Sequence, residues 1–143
     1  MQLYSFFNSS TSYRVRIALA LKGLEFDTIP VNIRAGEHRA CAYVGEVNPS
    51  ASVPALIDGE IALGQSLAIL DYLDAKYPEP RLVPQDIEAR ARVLELAMLV
   101  SCDMHPVNNL RILKYLQGPL GLSVEQKNAW YRHWVDEGMA GVE

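Results

Sequence analysis

Apolar positions along the first half of the chain change period several times, and each change predicts an element. Gln2–Phe6 is a short apolar and aromatic run that reads as a strand. After the polar cluster Asn8-Ser9-Ser10-Thr11-Ser12, Val15, Ala18, Leu19 and Leu21 recur at helical spacing and predict a helix over 13–21. Gly23 stands where a glycine would end it. Phe26–Ile33 reads as a second strand, with Phe26, Thr28 and Val31 or Ile29 and Ile33 as competing faces. A strand–helix–strand order requires a crossover and a parallel pair. Beyond a polar stretch, Arg34–Arg39, the runs Val53–Ile57 and Ile61–Leu63 flank Asp58-Gly59, a hairpin signal. Leu67, Ile69, Leu70, Tyr72 and Leu73 then mark a helix, with Ser66 as N-cap and Asp71 and Asp74 on its polar face.

Tyr77–Gln85 holds Pro78, Pro80 and Pro84 without helical period and reads as a linker. Everything beyond it reads helical. Ile87, Ala91, Leu94, Ala97 and Met98 share one face over 86–99, and Ile112–Leu116 continues past Pro106, which should kink or interrupt the backbone. From Ser123, in capping-box spacing with Gln126, Val124, Trp130, Trp134 and Val135 define a last helix expected to run to Glu143. The expected organisation is an α/β domain over 1–77, a linker over 78–85 and an all-helical segment over 86–143.

Half of the 143 residues are hydrophobic and 21% are charged, which supplies a core and excludes a disordered tail. The net charge of −4 has its signs interspersed, so no basic stripe for nucleic acid is present. The longest apolar stretches, Ile61–Leu70 and Leu96–Cys102, are about half of the ~20 residues a membrane span needs. Cys41 and Cys102 form no CxxC and no metal-ligand spacing, and read as reduced, buried thiols of a cytoplasmic protein.

Four places carry candidate chemistry. The Ser9–Ser12 hydroxyls open a helix, where unpaired N–H groups and the dipole favour an anion or a thiolate; an ordinary cap with surplus hydroxyls fits the same residues. Val53-Pro54 places proline in an apolar strand, which suits a strand edge or a cis bond that turns the Val53 backbone toward a peptide-like ligand. Gln65-Ser66 opens the next helix and could receive a carboxylate, or could simply cap it. Asp103-Met104-His105-Pro106-Val107-Asn108-Asn109 is too polar for a plain core face, yet offers no metal-ligand set. His38 and His133 read as surface or packed histidines, and Trp130 and Trp134 as a core stripe.

Together these residues resemble the glutathione transferase superfamily, and its zeta class in particular. The match runs through Tyr4-Ser5-Phe6, Ser9-Ser10-Thr11-Ser12-Tyr13-Arg14-Val15-Arg16-Ile17-Ala18-Leu19, Asn48-Pro49, Val53-Pro54-Ala55-Leu56, Gln65-Ser66-Leu67-Ala68-Ile69 and Arg81-Leu82-Val83-Pro84. Cys102–Asn109 adds a likeness to the maleylpyruvate isomerases beside the maleylacetoacetate isomerases.

The resemblance implies a thioredoxin-like N-terminal domain holding glutathione and a truncated all-α C-terminal domain covering a small dicarboxylate substrate. It implies glutathione-dependent cis–trans isomerisation of a maleyl keto acid, with a general glutathione transferase acting on electrophiles, or a non-catalytic binding module, as alternatives. By the same resemblance Ser10 or Ser9, with Thr11, stabilises the thiolate. Val53, beside cis-Pro54, pairs with the cysteinyl backbone, and Gln65 and Ser66 take the γ-glutamyl end. His38 lies near the glycyl end, and Asp103 also belongs to the glutathione side. Asn8, His105, Asn108, Asn109 and Arg111 line the substrate cleft or reach a partner's site in a homodimer. Thr11 stands where the class usually has cysteine, and Asn8 where related isomerases carry arginine. The chain stops at Glu143, short of the family's usual end, as a fragment or a shortened gene product would. The stripe Trp130, Trp134, Val135 and Met139 is then expected to lie uncovered, weakening the monomer and favouring association.

Overall fold

The structure is a computed structural model that describes residues 1–142 and divides into two compact units, one spanning Met1–Val83 and one from Pro84 onward. In the first unit, β1 (Gln2–Ser5), α1 (Ser10–Leu21) and β2 (Asp27–Pro30) form the crossover. Then come α2 (Cys41–Glu46), the hairpin β3 (Ala55–Asp58) and β4 (Ile61–Gly64), and α3 (Ser66–Lys76). The strand order is β2-β1-β3-β4, with β1 parallel to β2 and antiparallel to β3, and β3 antiparallel to β4. Leu3 pairs with Leu56, and Leu56 with Leu63, so one row of leucines crosses the sheet. Leu3, Val15, Ala18, Leu19, Leu56, Ile69 and Leu73 are buried together where α1 and α3 pack on the sheet. Residues alternate faces along a strand, so Tyr4 points the other way and meets the buried Tyr43 of α2 edge to face at 5.9 Å.

Several local readings hold and others need correction. Gly23 ends α1 at a φ of 63°, with Leu24 N–H donating to the Leu19 carbonyl at 3.0 Å. The second strand stops at Pro30 instead of reaching Ile33. Asn32 turns the chain there: its Oδ1 accepts from the N–H groups of Arg34 and Ala35 at 3.1 and 3.2 Å. Pro54 is buried just ahead of β3, outside the strand, and its peptide bond with Val53 is cis.

Asp74 does not sit on a polar face. It is 4% exposed and pairs at 2.7 Å with Lys22, whose side chain is wholly buried. Lys22 Nζ also donates to the carbonyls of Tyr77 and Pro80 at 2.7 and 2.8 Å. Asp74 accepts from the N–H groups of Leu82 and Val83 at 2.9 and 2.8 Å. Burial raises the Asp74 carboxyl, but the Lys22 ammonium and these two N–H donors outweigh it and hold it below the usual carboxylate range.

In the second unit, α4 (Ile87–Met98) starts on Asp86, which accepts from Ala89 N–H at 2.9 Å. Its chain continues as π-helix over Leu99–Met104 into α5 (His105–Val107). The wide turns precede Pro106, which has no N–H to donate and whose ring would meet the carbonyl four residues back in a regular helix. α6 (Leu110–Gln117) and α7 (Val124–Ala140) follow, the latter with the expected Ser123–Gln126 capping box. α7 ends at Ala140, with Gly141 at its C-cap; the expected end at Glu143 lies outside the described residues. Among the described residues of this unit only Leu116 is buried. The tryptophan stripe is half covered: Trp130 and Trp134 meet edge to face at 5.6 Å, and Trp130 Nε1 donates to the Val107 carbonyl at 3.0 Å. Met139 and Val142 stay exposed. Cys41 and Cys102 are both exposed, against the expectation of burial, because Cys41 opens a short surface helix and Cys102 lies on an open side of the π-turn. No helix among the described residues is long and apolar enough to cross a membrane, and none of them form a metal-binding cluster.

Candidate functional site

Three of the sequence candidates meet at one end of the first unit. Ser9 is the N-cap of α1, and its Oγ accepts from Ser12 N–H at 3.2 Å. Thr11 Oγ1 lies 2.8 Å from Ser9 Oγ and donates to the Val53 carbonyl at 3.1 Å. A hydroxyl has one proton. Thr11 uses its own on Val53, so Ser9 must be the donor in the Ser9–Thr11 bond. Both protons are therefore directed into the fold. Ser10, the first helical residue, is the most exposed of the three and stands at the positive end of α1.

The loop carrying Val53 is held by two side chains to which the sequence assigned no role, Asn48 and Tyr43. Asn48 is 3% exposed; its Nδ2 donates to the Ser52 carbonyl at 2.8 Å, and its Oδ1 accepts from Ser50 N–H and Oγ at 3.1 and 2.6 Å. Tyr43 Oη donates to the same Ser52 carbonyl at 2.7 Å. Burial pushes that phenol up to about 12, which keeps it a donor. Asn48 also lies against the end of β4: a Cβ placed on Gly64 would come within 3.0 Å of Asn48 Nδ2. The polar density between Asn48 and Ser52 was the available signal.

One residue past Gly64, Gln65 takes φ 63° and ψ 113°, a strained conformation for a residue with a side chain. It, and not Ser66, occupies the N-cap, and it makes no side-chain capping bond. Ser66 is the first helical residue, buried, and its Oγ accepts from Arg14 Nη1 of α1 at 3.0 Å. A second arginine, Arg16, spans the β1–α1 turn. Its Nη1 donates to Ser5 Oγ and the Phe6 carbonyl at 2.7 and 3.3 Å, and its Nη2 to the Phe7 carbonyl at 3.0 Å. Two arginines inside an otherwise apolar helix were a visible signal for such bracing.

The other candidates are placed less tightly. Asn8 is exposed ahead of the Ser9 cap, and His38 is half-buried in the short 3-10 turn Glu37–Arg39. In the second unit Asp103 is exposed in the π-turn and His105 half-buried beside it. Asn108 and Asn109 have work within the fold: Asn108 Nδ2 donates to the Tyr131 carbonyl at 3.1 Å, and Asn109 caps α6 by accepting from Arg111 N–H at 3.1 Å. Arg111 itself is exposed.

Chemically, the first unit offers two helix N-termini, each furnished with hydroxyls, and a peptide segment braced beside one of them. Hydroxyls at the end of α1 suit a thiolate, and the Gln65–Ser66 start of α3 suits a carboxylate. Residues 1–75 match the glutathione S-transferase N-terminal domain. The whole chain is similar to a probable maleylacetoacetate isomerase of Vibrio cholerae, 49% identical over 99% of this chain and 66% of that protein. In structure it is similar to a holo maleylpyruvate isomerase, a bacterial zeta-class glutathione S-transferase. The TM-score is 0.95 at 43% identity, over 99% of this chain and 66% of that one. A maleylacetoacetate isomerase of Methylobacterium extorquens, solved with malonate and glutathione, matches with a TM-score of 0.90 at 36% identity, over 99% and 66%. The chain thus spans about two thirds of the length of these relatives.

Proposed function

As this chain belongs to the glutathione S-transferase family, we propose that it is a zeta-class member acting as a glutathione-dependent cis–trans isomerase of a maleyl keto acid such as maleylpyruvate or maleylacetoacetate. The observation that carries this reading is the pairing of two ligand-ready ends in the first unit: the Ser9–Thr11 cluster bonded to Val53, and Ser66 behind the strained Gln65. That pairing suits a γ-glutamyl thiol, with a thiol at one end and a free amino-acid carboxylate at the other. When bound, glutathione supplies a thiolate that can add to the cis double bond, let it rotate as a single bond, and leave again.

The chain's own residues divide the tasks in this proposal. Ser10, exposed at the positive end of α1, donates a hydrogen bond to the thiol and holds it as thiolate near neutral pH. Val53 presents its backbone to the cysteinyl residue, kept in place by Thr11, Tyr43 and Asn48. Gln65 and Ser66 receive the γ-glutamyl end, and His38 the glycyl end. In the second unit Arg111 supplies an exposed cation of the kind a dicarboxylate requires. A homodimer is the proposed assembly. A cytoplasmic location is proposed too, supported by two exposed, unbridged thiols that a reducing compartment would preserve.

The test is a side-by-side assay of maleylpyruvate, maleylacetoacetate and a generic electrophile, with and without glutathione. Glutathione-dependent isomerisation of either keto acid is expected. Conjugation of the electrophile alone would make this a general transferase, and an intact fold without glutathione binding would make it a binding module.

A further inference from the structure

We propose that Arg14 is a positioning residue for γ-glutamyl recognition, acting through Ser66. The inference deepens the reading of Gln65 and Ser66 given above and rests on it. Arg14 lies in α1, just past the hydroxyl cluster, and its Nη1 reaches across to Ser66 Oγ at 3.0 Å. An arginine has only donors, so Ser66 Oγ is the acceptor and its direction is fixed. The Ser66 hydroxyl thus keeps its proton for a ligand, as a donor. Accepting from a guanidinium also polarises that hydroxyl, which strengthens what it donates.

Ser66 is 5% exposed and is the first residue of α3, where the helix presents its own unsatisfied N–H groups. The positive potential of the guanidinium adds to that of the helix end at the point where a carboxylate would dock. Gln65 bends the chain into this start at φ 63°, so hydroxyl, helix end and guanidinium converge over two consecutive residues. Lysine could supply the charge but not the planar fork that sets the direction of the bond.

Calorimetric titration separates this role from plain structural support. Wild-type chain is titrated with glutathione and with cysteinylglycine, which lacks the γ-glutamyl group, and the same is done for Arg14→Gln, Arg14→Lys and Ser66→Ala. Arg14→Gln is expected to weaken glutathione binding roughly ten-fold, to leave cysteinylglycine binding and kcat at saturating glutathione unchanged, and to add little to Ser66→Ala. Arg14→Lys should fall between wild type and Arg14→Gln. Equal weakening toward both thiols, or no weakening of glutathione binding, overturns the inference. A wild-type chain that binds glutathione no better than cysteinylglycine overturns the γ-glutamyl reading itself, and that result is seen before any substitution is made.

Discussion

Lys22 and Asp74, 52 positions apart in sequence, form a buried ion pair at 2.7 Å that ties the segment 77–83 to the body of the first unit. All three protons of the Lys22 ammonium are used, one on Asp74 and two on backbone carbonyls. The pair brings α1 and α3 together below the sheet and at the same time satisfies two carbonyls and two N–H groups of a stretch without secondary structure of its own.

Removing one partner leaves a buried charge uncompensated. Asp74→Ala is expected to cost about 3–5 kcal/mol of unfolding free energy, and the double replacement Lys22→Met with Asp74→Leu should recover only part of that loss, because the Tyr77 and Pro80 carbonyls and the Leu82 and Val83 N–H groups then lose their partners. Urea unfolding measures both. Hydrogen exchange should show the Leu82 and Val83 amides opening faster in Asp74→Ala than other amides of the unit, because these two donate to the lost carboxylate.

The same pair sets an acid limit. The folded Asp74 carboxyl titrates below its unfolded value of about 3.9, so the unfolded chain binds the proton more readily. The stabilisation is fully present above about pH 4 and is lost as pH falls through the depressed folded value. Urea midpoints measured from pH 6 down to pH 3 should drop for wild type, and the drop should be smaller in Asp74→Asn.

Ser12 carries the opposite imbalance. It is fully buried in α1, and its Oγ has no hydrogen-bond partner among the described residues. Alanine removes an unsatisfied hydroxyl and is a better helix former, so Ser12→Ala should stabilise the chain by about 1–2 kcal/mol. Thermal or urea unfolding decides the sign. A loss of stability would mean that the hydroxyl is satisfied in solution.

Thiol chemistry and stability separate the members of the hydroxyl cluster. Ser10→Ala should raise the pKa of bound glutathione and lower turnover roughly ten- to a hundred-fold, with little change in affinity. Ser9→Ala should instead cost about 1 kcal/mol of stability through the lost cap. Thiolate absorbance against pH, together with kcat, distinguishes them; an unshifted thiol pKa in Ser10→Ala would move the role to Ser9 or Thr11.

Local signals were legible where a few neighbouring residues decide the outcome. Asp58-Gly59 turns the β3–β4 hairpin, Gly23 ends α1, and Ser123 with Gln126 starts α7, each through contacts within a handful of positions. Pro106 announced a disturbance, though its form as π-turns depends on how the preceding helix rewinds. Asp74 was misplaced because its surroundings are set by Lys22 and by a linker that folds back on it. Ser66 was taken for a cap because its hydroxyl suits one. The backbone of Gln65 claims that place, and the hydroxyl turns to an arginine 52 positions away. The bracing roles of Arg14, Arg16, Tyr43 and Asn48 were not legible for the same reason: their partners lie across the fold or on the backbone, where residue type alone gives no address.

The contact of Asn48 with Gly64 links how two positions can vary. Asn48 braces the approach to Val53, and Gly64 delivers the chain into Gln65, so the two segments proposed to grip glutathione share one side chain's worth of space. A methyl group at 64 would press on the Asn48 amide at 3.0–3.3 Å and loosen the loop that carries Val53. Positions 48 and 64 are therefore a volume-exchange pair. Across homologous sequences they should covary, with a larger residue at 64 tolerated only where 48 has become smaller.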